Sequence, residues 1–235
     1  MCCYEIYILI TIIDYIFLKM IFFKLIIKYY NKIINMKFVL CSIIYWTIFD
    51  EIIRSNFQTN DIVLKTILCL INTITNITLL LIRFFIDIDT ITLTYYLAVG
   101  FYIYDLNLKN INLKNINLYT IHHILTIIGL YYMFDSNDNV YIQLGFLYAE
   151  ISNIFLYIVY IYENLYIFET HFTYICLLIF EFLLYSLFRC VFPIIIINKI
   201  ENFIPKTIAF TIYIASIIWT IGMAKKLYIT IISTY

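Results

Sequence analysis

Two adjacent histidines, His122 and His123, sit inside an otherwise apolar stretch, Tyr119-Thr120-Ile121-His122-His123-Ile124-Leu125-Thr126. An ionisable pair at membrane depth is costly, and such groups are kept where they pair with other polar groups or do chemistry. Glu150 follows in Leu147-Tyr148-Ala149-Glu150-Ile151-Ser152-Asn153. A carboxylate beside imidazole fixes its tautomer and raises its basicity, as a general base requires. Alone in a low dielectric, each group would be driven to its neutral form. The competing reading is that these groups only satisfy one another and lock helices together. Adjacent helical residues diverge by about 100°, so His122 and His123 cannot grip one ion as an i, i+4 pair does. His171 is the only other histidine, too few for the several histidine boxes of a membrane desaturase or hydroxylase. No metal site or resident cofactor is expected. Nor does any GxSxG, Walker loop or GxGxxG occur, so serine hydrolases, P-loop NTPases and dinucleotide enzymes have no support.

The scaffold for these residues is set by composition. The chain has 235 residues, of which 64% are hydrophobic and 13% charged, and its mean hydropathy is +0.95. Soluble domains sit near 45–50% apolar and about 25% charged. Fifteen basic and fifteen acidic residues cancel, which removes the electrostatic argument for nucleic acid. Four Gly and two Pro disfavour disorder and loop-rich β folds. Cys2, Cys3, Cys41, Cys69, Cys176 and Cys190 show no CxxC spacing, so neither a disulfide framework nor a zinc site is expected. Cys2 and Cys3 read as small apolar residues, with palmitoylation as the alternative. The expectation is an all-α, multi-span protein that uses lipid as solvent.

Crossing about 30 Å of hydrocarbon takes about 20 helical residues. Apolar runs between polar breaks cover 6–30, 38–54, 62–86, 90–104, 119–134, 140–161, 172–198 and 206–232. Their many β-branched residues would suit strands in water. A lipid-spanning strand needs a closed barrel of alternating residues, and these runs are too long and too uniformly apolar for that. The amino terminus lacks a basic n-region and a cleavage site, so it reads as an anchor or span, not a removable signal. Lys24, Lys28, Lys32 and Lys37 claim the cytoplasm for the first connection, and Lys109 and Lys114 claim the same side three spans later. Both claims cannot hold, so orientation stays open. The repeat Leu108-Lys109-Asn110-Ile111-Asn112 / Leu113-Lys114-Asn115-Ile116-Asn117 is a low-complexity loop.

Depth brings the polar residues together. If 119–134 and 140–161 form an antiparallel pair turning at 135–139, a rise of about 1.5 Å per residue puts His122 roughly 18 Å from the turn, Glu150 roughly 15 Å and Asn153 roughly 20 Å. Glu181, counted down the next helix from the opposite end, falls near the same level, and Asp105 enters it from the end of the preceding span. Arg189 is read as an ion-pair partner of Glu181, and with Pro193 it marks a kinked span end.

The segments Tyr95-Tyr96-Leu97-Ala98-Val99-Gly100-Phe101-Tyr102-Ile103-Tyr104-Asp105-Leu106, His122-His123-Ile124-Leu125-Thr126 and Ala149-Glu150-Ile151-Ser152-Asn153, followed by Arg189, resemble in order the TLC (TRAM, Lag1 and CLN8) domain. The resemblance covers about residues 38–232. It implies a TLC domain over 38–235, preceded by an anchor or span and a basic loop over 1–37. The implied fold is a bundle of about six core helices, with one or two extra N-terminal spans, around a lipid-accessible cavity in the endoplasmic reticulum. The family's ceramide synthases join a fatty acyl group from acyl-CoA to a sphingoid amine with their paired histidines. By that likeness His122 and His123 would be the base or acyl acceptor, with Asp105 orienting them, and acyl-CoA would be a co-substrate. Ceramide synthases typically carry Asp-x-x-Asp where this chain has Glu150 and Asn153, and many relatives have an early His where Ser42 is followed by Tyr45. The Glu-x-Ser pattern looks more like the TLC-domain-containing group with CLN8. The leading expectation is therefore a protein that binds or handles lipid acyl chains and influences sphingolipid and phospholipid homeostasis, with membrane lipids as partners and Glu150, Asn153 and Glu181 in the polar layer of its cavity. The alternatives are an acyl-CoA-dependent acyltransferase and a translocon-associated or cargo-sorting protein with membrane-protein partners.

Overall fold

A computed structural model describes residues 33–56, 60–86, 88–108, 118–133, 138–165 and 171–234. The expected span at 6–30, Cys2, Cys3 and most of the repeated loop lie outside them. The helices are α1 (Ile33–Asn56), α2 (Asp61–Ile86), α3 (Ile91–Leu108), α4 (Leu118–Tyr131), α5 (Asn139–Leu165), α6 (His171–Ser186), α7 (Phe192–Lys199) and α8 (Phe203–Thr234). A π-helical turn, Leu187–Val191, joins α6 to α7. No strand occurs among the described residues. Contacts divide the chain into residues 1–40 and 41–235. Of the first unit only the opening turns of α1 are described; the site and its scaffold belong to the second.

Polar residues set the helix ends. Asn60 caps α2, its side-chain oxygen accepting the Ile62 N–H at 3.0 Å, as an N-cap residue does for an otherwise orphaned donor. Asp138 precedes α5 but spends its carboxylate elsewhere. It accepts the backbone N–H groups of Glu201 and Asn202 at 3.1 and 2.9 Å, and the Asn202 side-chain amide at 2.7 Å. That clamp ties the α4–α5 connection to the start of α8.

Among the described residues, four helical stretches are long and apolar enough to cross a membrane: Asp61–Ile86, Asn139–Leu165, Phe172–Lys199 and Phe203–Ser233. No more than 28% of the most apolar window of any of them is buried. In water so much exposed apolar surface would be untenable, whereas lipid solvates it. Exposed Phe210, Ile214 and Ile218 repeat every fourth residue along α8, the spacing of one outward helical stripe. These features fit an integral membrane protein.

The two short runs behave differently. With 14 residues, α4 is only about 21 Å long. Along α3, Ala98, Val99, Phe101, Tyr102, Tyr104, Asp105 and Leu106 are all buried, while Leu93 in the first turn is exposed. The second half of this helix is therefore largely enclosed by protein, as a stretch apolar all round can be. Packing runs in a circuit: α2 on α3, α3 on α4, α4 on α8, α8 on α6, α6 on α5, and α5 back on α2. Where α1 meets α3, the Trp46 indole N–H donates to the Leu97 carbonyl at 3.1 Å.

Candidate functional site

The buried polar groups form two linked clusters and one cavity wall. Glu150, 1% exposed, anchors the first cluster. Its Oε2 accepts from Thr73 at 2.6 Å and its Oε1 from Asn76 at 2.9 Å and from the Tyr102 hydroxyl at 3.2 Å. Asn153 adds a longer bond at 3.5 Å. Each of these contacts donates to the carboxylate. Thr73 and Asn76 are three residues apart on α2 and so share one face. One carboxylate therefore joins α2, α3 and α5.

Arg189 lies on the other side of Asn153. Its Nε donates to Ser152 Oγ at 2.8 Å, and its Nη2 donates to Asn153 Oδ1 at 2.9 Å and the Ala149 carbonyl at 3.1 Å. Asn153 thus faces Glu150 with its amide nitrogen and Arg189 with its oxygen. The expected pairing of Arg189 with Glu181 is not what forms: all the hydrogen-bond partners of the guanidinium are neutral and lie on α5. Nor does Arg189 sit at a span end. It is the centre of the π turn, where the Phe192 N–H bonds to the Leu187 carbonyl, one residue wider than an α turn. Pro193, next in line, has no N–H to give the Arg189 carbonyl, and a π turn is one way a helix absorbs that loss.

The two histidines part company. His123 is buried, with Nε2 3.1 Å from Asp105 Oδ2 and Nδ1 3.1 Å from the Tyr119 carbonyl. A carbonyl only accepts, so in that contact Nδ1 is the donor, and Nε2 faces the carboxylate. The Tyr119 hydroxyl donates to the same Asp105 oxygen. Tyr102, a Glu150 partner, meets the His123 ring edge to face at 4.9 Å and so links the clusters. His122 turns the other way, meeting Trp219 of α8 edge to face at 5.2 Å. Its Nδ1 is buried with no hydrogen-bond partner.

His122 belongs to the wall of a partly open cavity holding about 880 Å³ of empty space, its open side included. One end is polar, with His122, Thr126, Asn153, Arg189 and Ser216. The other is apolar, with Leu130, Ile142, Ile197, Ile200, Pro205 and Ile208. Along α5 the lining runs from Tyr141 to Asn153, about 18 Å at 1.5 Å per residue. The polar end is therefore deep in the bundle, while the apolar end lies beside the Asp138 clamp.

Of the residues expected in one layer, His122 and Asn153 share the cavity wall. Glu150 and Asp105 do not line it, and Asp105 meets His123 and Tyr119. Glu181 is buried away from this wall, and the charges that act on it are Lys226 and Glu163. Sequence reasoning missed Thr73, Asn76, Tyr102, Tyr119, Ser152 and Trp219. Thr73 and Asn76 were discoverable as an i, i+3 polar pair in an apolar span. Among the described residues no three His, Cys, Asp or Glu side chains are grouped to hold a metal ion.

No protein-family model matches the chain, and no curated protein matches it. The class that fold and site define is a helical protein with, among its described residues, four helices fit to cross a membrane and a partly open cavity, apolar at one end and polar at the other.

Proposed function

We propose that this is a TLC-type membrane protein of the endoplasmic reticulum that holds a lipid acyl chain in the cavity and so influences membrane lipid composition. The observation that carries the reading is the gradient along the cavity wall, from Ile200, Pro205 and Ile208 to His122, Asn153 and Arg189. Apolar walls with a few placed polar groups suit an amphiphile of fixed orientation. The family part of the proposal rests on the ordered sequence resemblance.

A second reading, an acyl-CoA-dependent acyltransferase, is favoured by one detail: the buried, unbonded Nδ1 of His122. In that reading His122 is the base and His123 a positioning residue, since both ring nitrogens of His123 are engaged.

Gly145 allows a direct test. A Cβ there would meet only Ile196 Cγ2, at 3.7 Å, so a larger side chain extends into the cavity with little backbone cost. Gly145→Leu should cut photolabelling by a long-chain acyl probe on the order of tenfold. It displaces at least two methylenes, each worth about 0.8 kcal/mol when buried. Unchanged labelling would place the probe outside the cavity and end the binding reading. In the same membranes, His122→Ala should leave labelling intact. If it also abolishes a measurable acyl transfer, the enzyme reading replaces simple binding.

A further inference from the structure

The polar end of the cavity carries more than an acyl chain alone would call for. Arg189 is 5% exposed and forms part of the cavity wall. A guanidinium has five N–H donors and stays charged at any accessible pH. Three of the five are used, on Ser152, Asn153 and Ala149. The remaining two are both on Nη1, which is buried and has no hydrogen-bond partner. The Tyr185 ring lies 5.4 Å from the guanidinium carbon and presents its π face to it.

None of the three used partners carries a charge. Glu150, the acid nearest along the network, is engaged by Thr73, Asn76, Tyr102 and Asn153 and reaches Arg189 only through Asn153. A cation at membrane depth ordinarily pairs with an anion or with several acceptors. This one is short of acceptors on Nη1. His122, on the same wall, has its own unbonded Nδ1. The Nη1 donors of Arg189 lack what an oxyanion supplies.

We propose that the occupant of the cavity is a single-chain amphiphile with an oxyanion head, a long-chain carboxylate, seated with that head at Arg189 and its tail toward Ile196 and Ile208. The inference rests on the acyl-chain reading above and adds the chemistry of the head. A carboxylate fits the depth better than a phosphate because it can take up a proton, enter as a neutral acid and ionise beside the guanidinium. A buried acid neutralises when alone and recovers its charge next to a cation. Charge-assisted bonds to Arg are about twice as strong as neutral ones.

The test uses the full chain in nanodiscs of neutral phosphatidylcholine and a photoactivatable long-chain fatty acid as probe. Competitors are a long-chain carboxylate, the primary alcohol of equal chain length and the matching lysophosphatidate. The carboxylate should compete at least about tenfold better than the alcohol, as one charge-assisted bond at a dry site implies. Arg189→Gln should erase that preference, while Arg189→Lys should keep part of it. Equal competition by acid and alcohol in the unaltered protein overturns the oxyanion head and leaves acyl binding standing. Failure of both to compete overturns the acyl-chain reading itself. Stronger competition by the lysophosphatidate overturns the carboxylate as the natural head. The comparison in the unaltered protein decides the matter even if Arg189→Gln does not fold.

Discussion

Glu150→Ala should destabilise the folded chain by about 3–5 kcal/mol, because it strips several buried donors of their shared acceptor. The loss is that of an acceptor, not of volume. Thr73, Asn76 and Tyr102 all donate to this carboxylate, and each donor left unpaired in a dry interior costs about 1–3 kcal/mol. The three costs will not add fully, because hydroxyls turn and neighbours relax. For a chain of this length, 1 kcal/mol corresponds to roughly 2–4 °C of melting temperature, so the Ala variant should melt about 10 °C lower in detergent. Glu150→Gln should fall between. It keeps an oxygen for Asn76 and Tyr102 but sets an amide N–H against the Asn153 amide nitrogen. A Glu150→Ala protein melting within about 2 °C of the parent would show that the network holds nothing together.

Gly100→Ala should separate α1 from α3. A Cβ on Gly100 would lie 2.2 Å from Ser42 Oγ, 2.5 Å from Ser42 Cβ and 3.1 Å from the Ser42 backbone carbon. Carbon atoms pack best at about 3.5–4.0 Å, so rotating the hydroxyl away is not enough. Overpacking of this kind costs about 1–3 kcal/mol, and here it also threatens the bond from the Trp46 indole to the Leu97 carbonyl. Ser42→Ala should not rescue the variant, because the Ser42 Cβ stays. Ser42→Gly should rescue much of it. A double-mutant cycle on melting temperature checks this, with coupling between 42 and 100 as the expected result. Independent effects would mean that the two helices do not cross at these residues.

The lipid solvent decides how much of the fold is legible in the sequence. Apolar runs at 62–86, 140–161, 172–198 and 206–232 find the four span-length helices because crossing a bilayer requires both length and apolar composition. The run at 90–104 is as apolar as these, yet α3 from Ala98 onward is largely enclosed by protein. Periodicity carries no signal in a helix apolar all round, so composition alone cannot tell lipid from neighbours. The depth estimate brings His122 and Asn153 to one wall because rise per residue is nearly constant. It cannot assign partners, since those depend on helix rotation. Hence His123, one residue and about 100° from His122, goes to Asp105, while Glu181 lies off the cavity wall. The π turn at Arg189 is foreshadowed in the sequence only as a kink near Pro193, because the missing N–H is readable and the way the helix absorbs it is not.

The acyl-chain cavity is tested most directly by native mass spectrometry of the purified protein, released from membranes in mild detergent. A retained single-chain lipid is expected in the parent protein, and its loss in Gly145→Leu, with both proteins folded by their melting curves. A parent protein that carries no acyl lipid, or a Gly145→Leu protein that carries it equally well, would contradict the acyl-chain reading.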